Sequence, residues 1–216
     1  MHSRTALLCL RTAALLLALT AGLAAAELPP IPLPAPQTSG GQPLLQVIRE
    51  RSSHREFAPD PLPPQVLSNL LWAAWGINRP ATGGRTAPSA RNRQEMDVYA
   101  ATTDGVFLYQ AKENRLQPVT RKDLRALTGV QDFVAAAPVN LIYVSRSTAS
   151  SLTERAQAGG IQAGLIAENV YLFCASEGLA TVVRASLDGD ALAKALQLPP
   201  GQTVILVQTV GYPRKR

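Results

Sequence analysis

The sequence predicts a single α+β domain. Its 216 residues are 46% hydrophobic, which is enough apolar material for one domain with a substantial core. Segments with strand patterning and segments with helix patterning are mixed along the chain, without the regular strand–helix–strand alternation that builds parallel sheets. No internal repeat is visible in the sequence. These observations favour α+β over the other fold classes.

The first half of the domain begins with two helices and continues with a β-hairpin. Residues 44–52 have the spacing of a short helix, and residues 61–78 predict a second one, because their two consecutive prolines suit the first turn of a helix. Residues 95–103 and 106–111 are two apolar strand segments. The Asp-Gly pair between them is typical of a tight hairpin turn.

The second half contains one helix that is unusually apolar. Residues 158–178 form the longest predicted helix, which is apolar on nearly all sides and ends at Gly178. Such a helix is either central in the domain or covered by a second subunit. Cys174 within it is expected to be a buried structural thiol. The other predicted elements are a short helix at 120–127 capped by Thr120, strands at 137–145, 179–186 and 203–213, and a helix at 188–198.

The first 43 residues are expected to precede the folded domain, which spans residues 44–216. Residues 1–26 contain arginines, an apolar run and then three alanines, which is the pattern of a cleavable signal peptide. The run is short for a membrane span of about 20 residues, although an uncleaved N-terminal anchor shares the same early pattern. Residues 27–43 form a proline- and glycine-rich arm that either drapes over a surface or links the domain to a membrane. The sequence therefore predicts a periplasmic or secreted protein with no stable membrane span after cleavage.

Composition argues against several classes of protein. The chain has 21 basic and 15 acidic residues, and the basic ones are scattered rather than gathered in a stripe, so nucleic-acid binding is not expected. Cys9 leaves with the signal peptide, so Cys174 is the only mature cysteine and no disulfide or thiolate zinc site is expected. His54 is the only mature histidine, and no GxSxG, GxGxxG or Walker loop is present. We expect neither a metal site nor hydrolysis by the chain's own side chains.

Three polar clusters are candidate binding residues. The first offers guanidiniums and hydroxyls that suit a phosphate, although a solvated helix end has the same composition. The second, in the loop of residues 83–95, offers groups that suit the imide edge of a flavin or a base, although such loops are most often turns. The third is the basic end of the chain, either a solvated tail or a second phosphate clamp. The clusters are Arg51, Ser52, Ser53, His54 and Arg55; Pro88, Ser89, Ala90, Asn92 and Gln94; and the terminal GYPRKR with Arg214 and Arg216. Clusters of this kind without a catalytic triad point to a protein whose cofactor does the chemistry.

Four short motifs follow one another along residues 44–213. They are basic–x–Ser–x–basic–x–Phe at 51–57, Pro-Ser-x-x-Asn-x-Gln at 88–94, a small-residue helix that runs into Gly-Leu at 163–179, and Gly-Tyr-Pro at 211–213. Each motif alone is weakly specific, but their order and spacing are specific. Together they resemble the nitroreductase family of FMN-dependent oxidoreductases, in particular the branch near the thiazoline and oxazoline dehydrogenases.

The resemblance implies a fold, an assembly and a set of cofactor-binding residues. The fold would be a central, mainly antiparallel sheet flanked by helices, and the assembly an intertwined homodimer with FMN at the subunit interface. The first cluster would hold the FMN phosphate and the pyrimidine side of the ring, the second would reach the same flavin from the other subunit, and the third would complete the phosphate site. The residues implied are Arg51, Ser52, Ser53, Arg55, Pro88, Ser89, Ala90, Asn92, Gln131, Val183, Arg184, Ala185, Arg214 and Arg216.

Within that set, residues 183–185 would lie against the flavin ring, with a backbone amide facing its N5 atom, and Gln131 would approach the ring edge. Many relatives have an acidic residue and a glycine where this chain has Arg184 and Ala185. We expect an arginine at that position either to stabilise negative charge on the reduced flavin or to favour anionic substrates.

The implied activity is ping-pong electron transfer through the flavin, with no catalytic side chain. A hydride from a donor such as NAD(P)H would reach the flavin, which would then reduce a small acceptor such as a nitroaromatic or quinone, or the enzyme would dehydrogenate a small substrate directly. The predicted signal peptide conflicts with NAD(P)H as donor, because that cofactor is expected in the cytoplasm. The alternative is therefore an exported flavin-binding module with little or no NAD(P)H-dependent turnover.

Overall fold

The computed structural model describes residues 28–148 and 151–214. The predicted signal peptide at residues 1–26 and the predicted phosphate ligand Arg216 lie outside the described residues. Within them, helices and strands are mixed along the chain. The strands are β1 (Ile31–Pro32), β2 (Ile77–Arg79), β3 (Gly84–Arg85), β4 (Met96–Thr102), β5 (Gly105–Gln110), β6 (Arg115–Thr120), β7 (Val139–Ser145), β8 (Ala180–Arg184) and β9 (Thr203–Gly211). The helices are α1 (Leu44–Glu50), α2 (Pro64–Trp75), α3 (Phe133–Ala136), α4 (Leu152–Glu177) and α5 (Gly189–Ala195).

Seven of these strands form one sheet in the order β1-β6-β5-β4-β7-β9-β8. Every neighbouring pair in it is antiparallel. Strands β2 and β3 form a separate two-stranded ribbon. The prediction of an α+β fold with a mainly antiparallel sheet is therefore confirmed.

The central strand β7 shows why the sheet has helices on both faces. All seven of its residues are buried, because successive side chains of a strand point to opposite faces and both faces are covered. Leu141 and Tyr143 pack in the larger core, which includes residues of α2 and α4. Ile142 and Val144 pack in the second core with Leu192 of α5.

Helix α4 is the longest element, and its ends are set by local sequence. At its start, the Ser151 side chain accepts a hydrogen bond from the backbone of Glu154, and the Glu154 side chain accepts one from Ser151, which is a capping box. At its end, Gly178 has a left-handed conformation with φ of 70°, which glycine adopts without steric cost. The predicted end at Gly178 is confirmed, and the helix begins at Leu152 rather than at 158. Cys174 is buried and free, as predicted.

The predicted helix at residues 120–127 is wrong. Thr120 is the last residue of β6, which pairs with β5, and only a 3-10 turn at Arg125–Thr128 follows. Pro118 obscures this strand in the sequence, because proline cannot donate to a strand ladder. It is tolerated here because β1 pairs only with Leu116 and Arg115 on the outer edge of β6.

The described part of the N-terminal arm lies on the surface of the domain. Its strand β1 extends the main sheet, and the carbonyl oxygen of Pro34 accepts hydrogen bonds from Ser68 Oγ at 2.6 Å and Asn114 Nδ2 at 2.7 Å. Further along, the Gln42 backbone N–H donates to Ser176 Oγ at 3.0 Å. The structure thus shows the described part of the arm lying over a surface, which is the first of the two expectations for it. Among the described helices, none has the length and apolar character needed to cross a membrane.

Candidate functional site

The segment after α1 runs between the edge strand β8 and the end of the chain. The His54 backbone N–H donates to the Thr181 carbonyl oxygen at 2.9 Å, which places the segment beside β8. The Arg214 backbone N–H donates to the Glu56 carbonyl oxygen at 3.2 Å, and Phe57 forms a β-bridge with Pro213. The structure therefore brings the predicted groups 51–55, 183–185 and 214 together in one chain.

Tyr171 of α4 joins two of these groups. Its hydroxyl lies 2.8 Å from Ser53 Oγ and accepts a hydrogen bond from the Val183 backbone N–H at 3.0 Å. The Arg51 guanidinium lies over the Tyr171 ring, 5.2 Å from its centroid, within the range of a cation–π contact. The sequence prediction missed this residue, because it lies in an apolar helical run. The available signal was that a buried tyrosine hydroxyl usually needs a hydrogen-bond partner.

Three arginines in the same region are not engaged in ion pairs with the described residues. Arg51, Arg55 and Arg214 make no ion pair with any carboxylate of the described residues. Arg51 is half-buried, and the other two side chains are exposed, as are Ser52 and Ser53. Guanidiniums and hydroxyls arranged in this way can donate several hydrogen bonds to an anion such as a phosphate.

Arg184 differs from these arginines because it is buried, with 7% of its surface exposed. It hydrogen-bonds to the Thr128 carbonyl oxygen at 2.8 Å and to Thr209 Oγ1 at 2.7 Å. Gln131 Oε1 lies 3.5 Å from its Nη1 atom, so two of the predicted site residues meet here. Desolvation by burial lowers the pKa of Arg184 to about 10. Val183 beside it is half-buried, and Ala185 is exposed.

The loop of residues 83–95 is held in an unusual backbone conformation. Arg91, Asn92 and Gln94 each have φ of 52°, in the left-handed region that residues other than glycine rarely adopt. The Gln94 side chain fixes the loop by donating to Asn92 Oδ1 and to the Gly83 carbonyl oxygen, both at 2.9 Å. It also accepts from Arg85 Nε at 2.8 Å. Strained backbone of this kind persists where surrounding bonds enforce it, and such segments cluster at functional sites.

A cavity of about 500 Å³ separates this loop from the N-terminal half of α4. Its lining residues are Pro88, Ser89, Ala90, Arg93, Glu95, Glu154, Gln157, Ala158, Ile161, Gln162 and Leu165. Gln162 is 8% exposed, and its Nε2 atom is buried without a hydrogen-bond partner. The sequence prediction missed Gln162, which has no motif around it. Its buried amide can donate to an acceptor atom of a molecule bound in the cavity.

The structure does not bring the loop of residues 83–95 together with the segment of residues 51–55. The cavity beside the loop ends at Leu165, whereas Ser53 contacts Tyr171, six residues further along α4. Six helical residues span about 9 Å, and Ala158 on the far side of the cavity is about 20 Å from Tyr171 along the axis. Within one chain, the two predicted halves of the site therefore lie beside different stretches of α4.

Comparisons with known proteins identify the family. The sequence model described as "Nitroreductase family" matches residues 48–212. The chain is a member of the nitroreductase family. A protein of Methanocaldococcus jannaschii named as a nitroreductase is 30% identical over 168 residues, which cover 72% of this chain and 84% of that protein.

Solved structures of the nitroreductase family have the same fold. A crystal structure of a nitroreductase from Ralstonia eutropha JMP134 is 41% identical, with a TM-score of 0.82 over 87% of this chain and 90% of that chain. Nitroreductase A from Vibrio parahaemolyticus has a TM-score of 0.60 at 20% identity, over 80% of this chain and 68% of its own. The resemblance to the nitroreductase family is confirmed. Membership of this family implies that the protein is an oxidoreductase. The branch near the thiazoline and oxazoline dehydrogenases, and the role of each site residue, stay predictions.

Proposed function

We propose that this nitroreductase-family protein is an FMN-dependent oxidoreductase that transfers electrons from a hydride donor to a small organic acceptor. The observation that supports this most is that the segment carrying Arg51 and Arg55 lies beside β8 and is bonded to the chain end that carries Arg214, and that none of the three makes an ion pair with a described carboxylate. A dianionic phosphate would compensate this charge. The donor set therefore fits FMN.

The chain's own residues would bind and orient the cofactor. Arg51, Ser52, Ser53, Arg55 and Arg214 would hold the phosphate and the pyrimidine side of the ring, with Arg216 as a further proposed phosphate ligand. When bound, FMN would supply hydride transfer through its N5 atom. The Val183 N–H already donates to Tyr171, and Arg184 pairs with Val207 of β9. The amide that remains is that of the exposed Ala185. We assign this backbone N–H to the flavin N5.

We propose that a second copy of the chain completes the site. In one chain, the loop of residues 83–95 and the phosphate-binding groups lie beside different stretches of α4. Two faces also leave large apolar side chains in solvent: Ile161 and Leu165 of α4 are 61% and 41% exposed, and Leu45 of α1 is 81% exposed. Exposed apolar surface of this kind marks interaction sites. In a dimer, Pro88, Ser89, Ala90 and Asn92 would contact the flavin held by the partner.

The oligomeric state tests the second-copy proposal. Leu165→Glu would place a charge in the interface and convert the protein to a monomer in size-exclusion chromatography with light scattering. Leu127→Glu is the matched control, because Leu127 is 42% exposed and lies on the 3-10 turn at the other face of the sheet. A wild-type protein that is monomeric at micromolar concentration would contradict the proposal.

Titration with FMN tests the binding site. Arg55→Ala is expected to weaken FMN binding by about tenfold to a hundredfold, since a hydrogen bond to a charged group contributes about 1.5–3 kcal/mol. Arg121→Ala, which removes another exposed arginine, should leave the affinity unchanged. Equal affinity in both variants would contradict the assignment of Arg55.

We also propose that residues 1–26 are removed on export. The mass of the mature protein, purified from the periplasm or the medium, tests this: a chain that begins near residue 27 supports it, and a full-length chain in the cytoplasm contradicts it. Export would make a donor other than NAD(P)H necessary. Bound FMN that no tested donor reduces would identify the protein as a flavin-binding module.

A further inference from the structure

Arg184 carries a positive charge that has no negative partner among the described residues. Its guanidinium hydrogen-bonds to the Thr128 carbonyl oxygen, to Thr209 Oγ1 and, at 3.2 Å, to Asn140 Oδ1. All of these acceptors are neutral. The Nε atom of the same side chain is buried without a hydrogen-bond partner. No carboxylate of the described residues forms an ion pair with Arg184.

The charge remains in place despite its burial. Desolvation lowers the pKa of Arg184 only to about 10, so the guanidinium is protonated at neutral pH. The Phe133 ring, 5.6 Å from the guanidinium carbon, gives some compensation through its π-electrons. A buried charge is normally paired with an opposite charge, because leaving water is costly. Among the described residues the charge of Arg184 is left uncompensated, so it can stabilise an anion bound nearby.

The position of Arg184 limits what that anion can be. Its guanidinium points into the domain and is held by three neighbouring segments, so it cannot contact a molecule on the open face of the site. Its backbone, however, lies between Val183 and Ala185, at the end of β8 that we assign to the flavin. Anything bound there is about one arginine side chain from the charge. With one further hydrogen bond to a bound ring, the separation is on the order of 10 Å. This is comparable to the Debye length of about 8 Å at physiological ionic strength, and the intervening protein screens the charge less than water does.

We propose that the buried charge of Arg184 stabilises the negative charge of reduced FMN and thereby raises the reduction potential of the bound cofactor. Oxidised FMN that accepts a hydride, which is two electrons and one proton, acquires one negative charge on its ring, and the hydride donor is oxidised. The buried guanidinium favours the product of that step over the oxidised ring. This inference rests on the proposed function. Because the side chain is buried, it cannot select anionic substrates by direct contact.

The test compares the reduction potential of bound FMN in the wild-type chain and in three variants, by anaerobic titration against a dye of known potential. Arg184→Met removes the charge at similar size, and Arg184→Gln removes it while keeping polar atoms for Asn140 and Thr209. Both are expected to weaken the binding of reduced FMN relative to oxidised FMN by about tenfold. For a two-electron couple this lowers the reduction potential of bound FMN by about 30 mV. Arg184→Lys keeps the charge, so the reduction potential of FMN bound to this variant should fall by no more than about a third of that amount.

A merely structural role predicts a different pattern. All three variants would then lose thermal stability, while the potential of each FMN-loaded variant would equal that of the wild-type protein, and this result would overturn the proposal. A potential that falls as far in Arg184→Lys as in Arg184→Met would overturn it as well. If Arg184→Met does not fold, Arg184→Gln decides alone. Wild-type protein that binds no FMN contradicts the proposed function instead, so the two failures are distinguishable.

Discussion

Replacing Tyr171 by phenylalanine tests how the site is organised. The substitution removes one oxygen atom and keeps the ring, so the packing of α4 against the sheet is retained. It leaves the Val183 N–H without its acceptor and Ser53 Oγ without its partner. The Arg51 guanidinium keeps the ring beneath it. The variant therefore isolates the contribution of a single hydroxyl group.

The structure sets the size of the expected effect. An orphaned buried donor costs about 1–3 kcal/mol, and because Val183 is only half-buried, water can offset part of the loss. We expect a destabilisation of about 1–2 kcal/mol. For a domain of 150–250 residues this lowers the melting temperature by about 2–8 °C. The affinity for FMN should fall about fivefold, because a contribution of about 1 kcal/mol to the order of Ser53 is lost.

The assay combines thermal denaturation with FMN titration, and Tyr99→Phe is the matched control. Tyr99 is a buried tyrosine of the second core, and its hydroxyl makes no hydrogen bond to the described residues. Tyr99→Phe should leave FMN affinity unchanged and alter the melting temperature by less than Tyr171→Phe does. If Tyr171→Phe matches the wild-type protein in both measurements, the organising role of this hydroxyl is refuted.

Three further predictions concern the loop of residues 83–95, a turn and the thiol. Gln94→Ala removes the bonds that enforce the left-handed backbone, so FMN affinity should fall at least about tenfold and trypsin should cleave the loop faster; cleavage at the wild-type rate would contradict this. Gly105→Val should destabilise the protein by about 1–3 kcal/mol in urea denaturation, since φ at Gly105 is 132° and the added Cβ would lie against the Thr120 carbonyl oxygen. Burial raises the pKa of the Cys174 thiol well above its usual range, so a thiol reagent at pH 8 should label Cys174 only after denaturation, and rapid labelling of the native protein would show the prediction wrong.

The sequence allowed the fold class and most elements to be predicted because they depend on local patterns. The end of α4 follows from Gly178, and β7 from its continuous apolar run. Strand β6 could not be predicted, because its stability comes from pairing with β5 while Pro118 contradicts the local pattern. Local patterns fail where a neighbouring strand determines the conformation.

The candidate site was predictable only in part for the same reason. The motifs predict Arg51, Ser53 and Arg55 as site residues, but nothing near them in the sequence points to Tyr171, which contacts Ser53 across 118 residues of chain. Similarly, Arg184 was expected at the flavin ring, whereas the structure shows its guanidinium bonded to Thr128 and Thr209 inside the domain. The direction of a side chain at the end of a strand depends on tertiary packing, which no motif encodes.

An absorption spectrum of the purified protein, recorded anaerobically before and after the addition of NADH or NADPH, tests the central claim most directly. We predict flavin bands in the protein, either as purified or after incubation with FMN and removal of the excess, and bleaching of these bands by a hydride donor. Bands that persist after the addition of NADH and of NADPH would support the proposed FMN site but exclude these two compounds as donors. A protein that shows no flavin band after incubation with FMN would contradict the account.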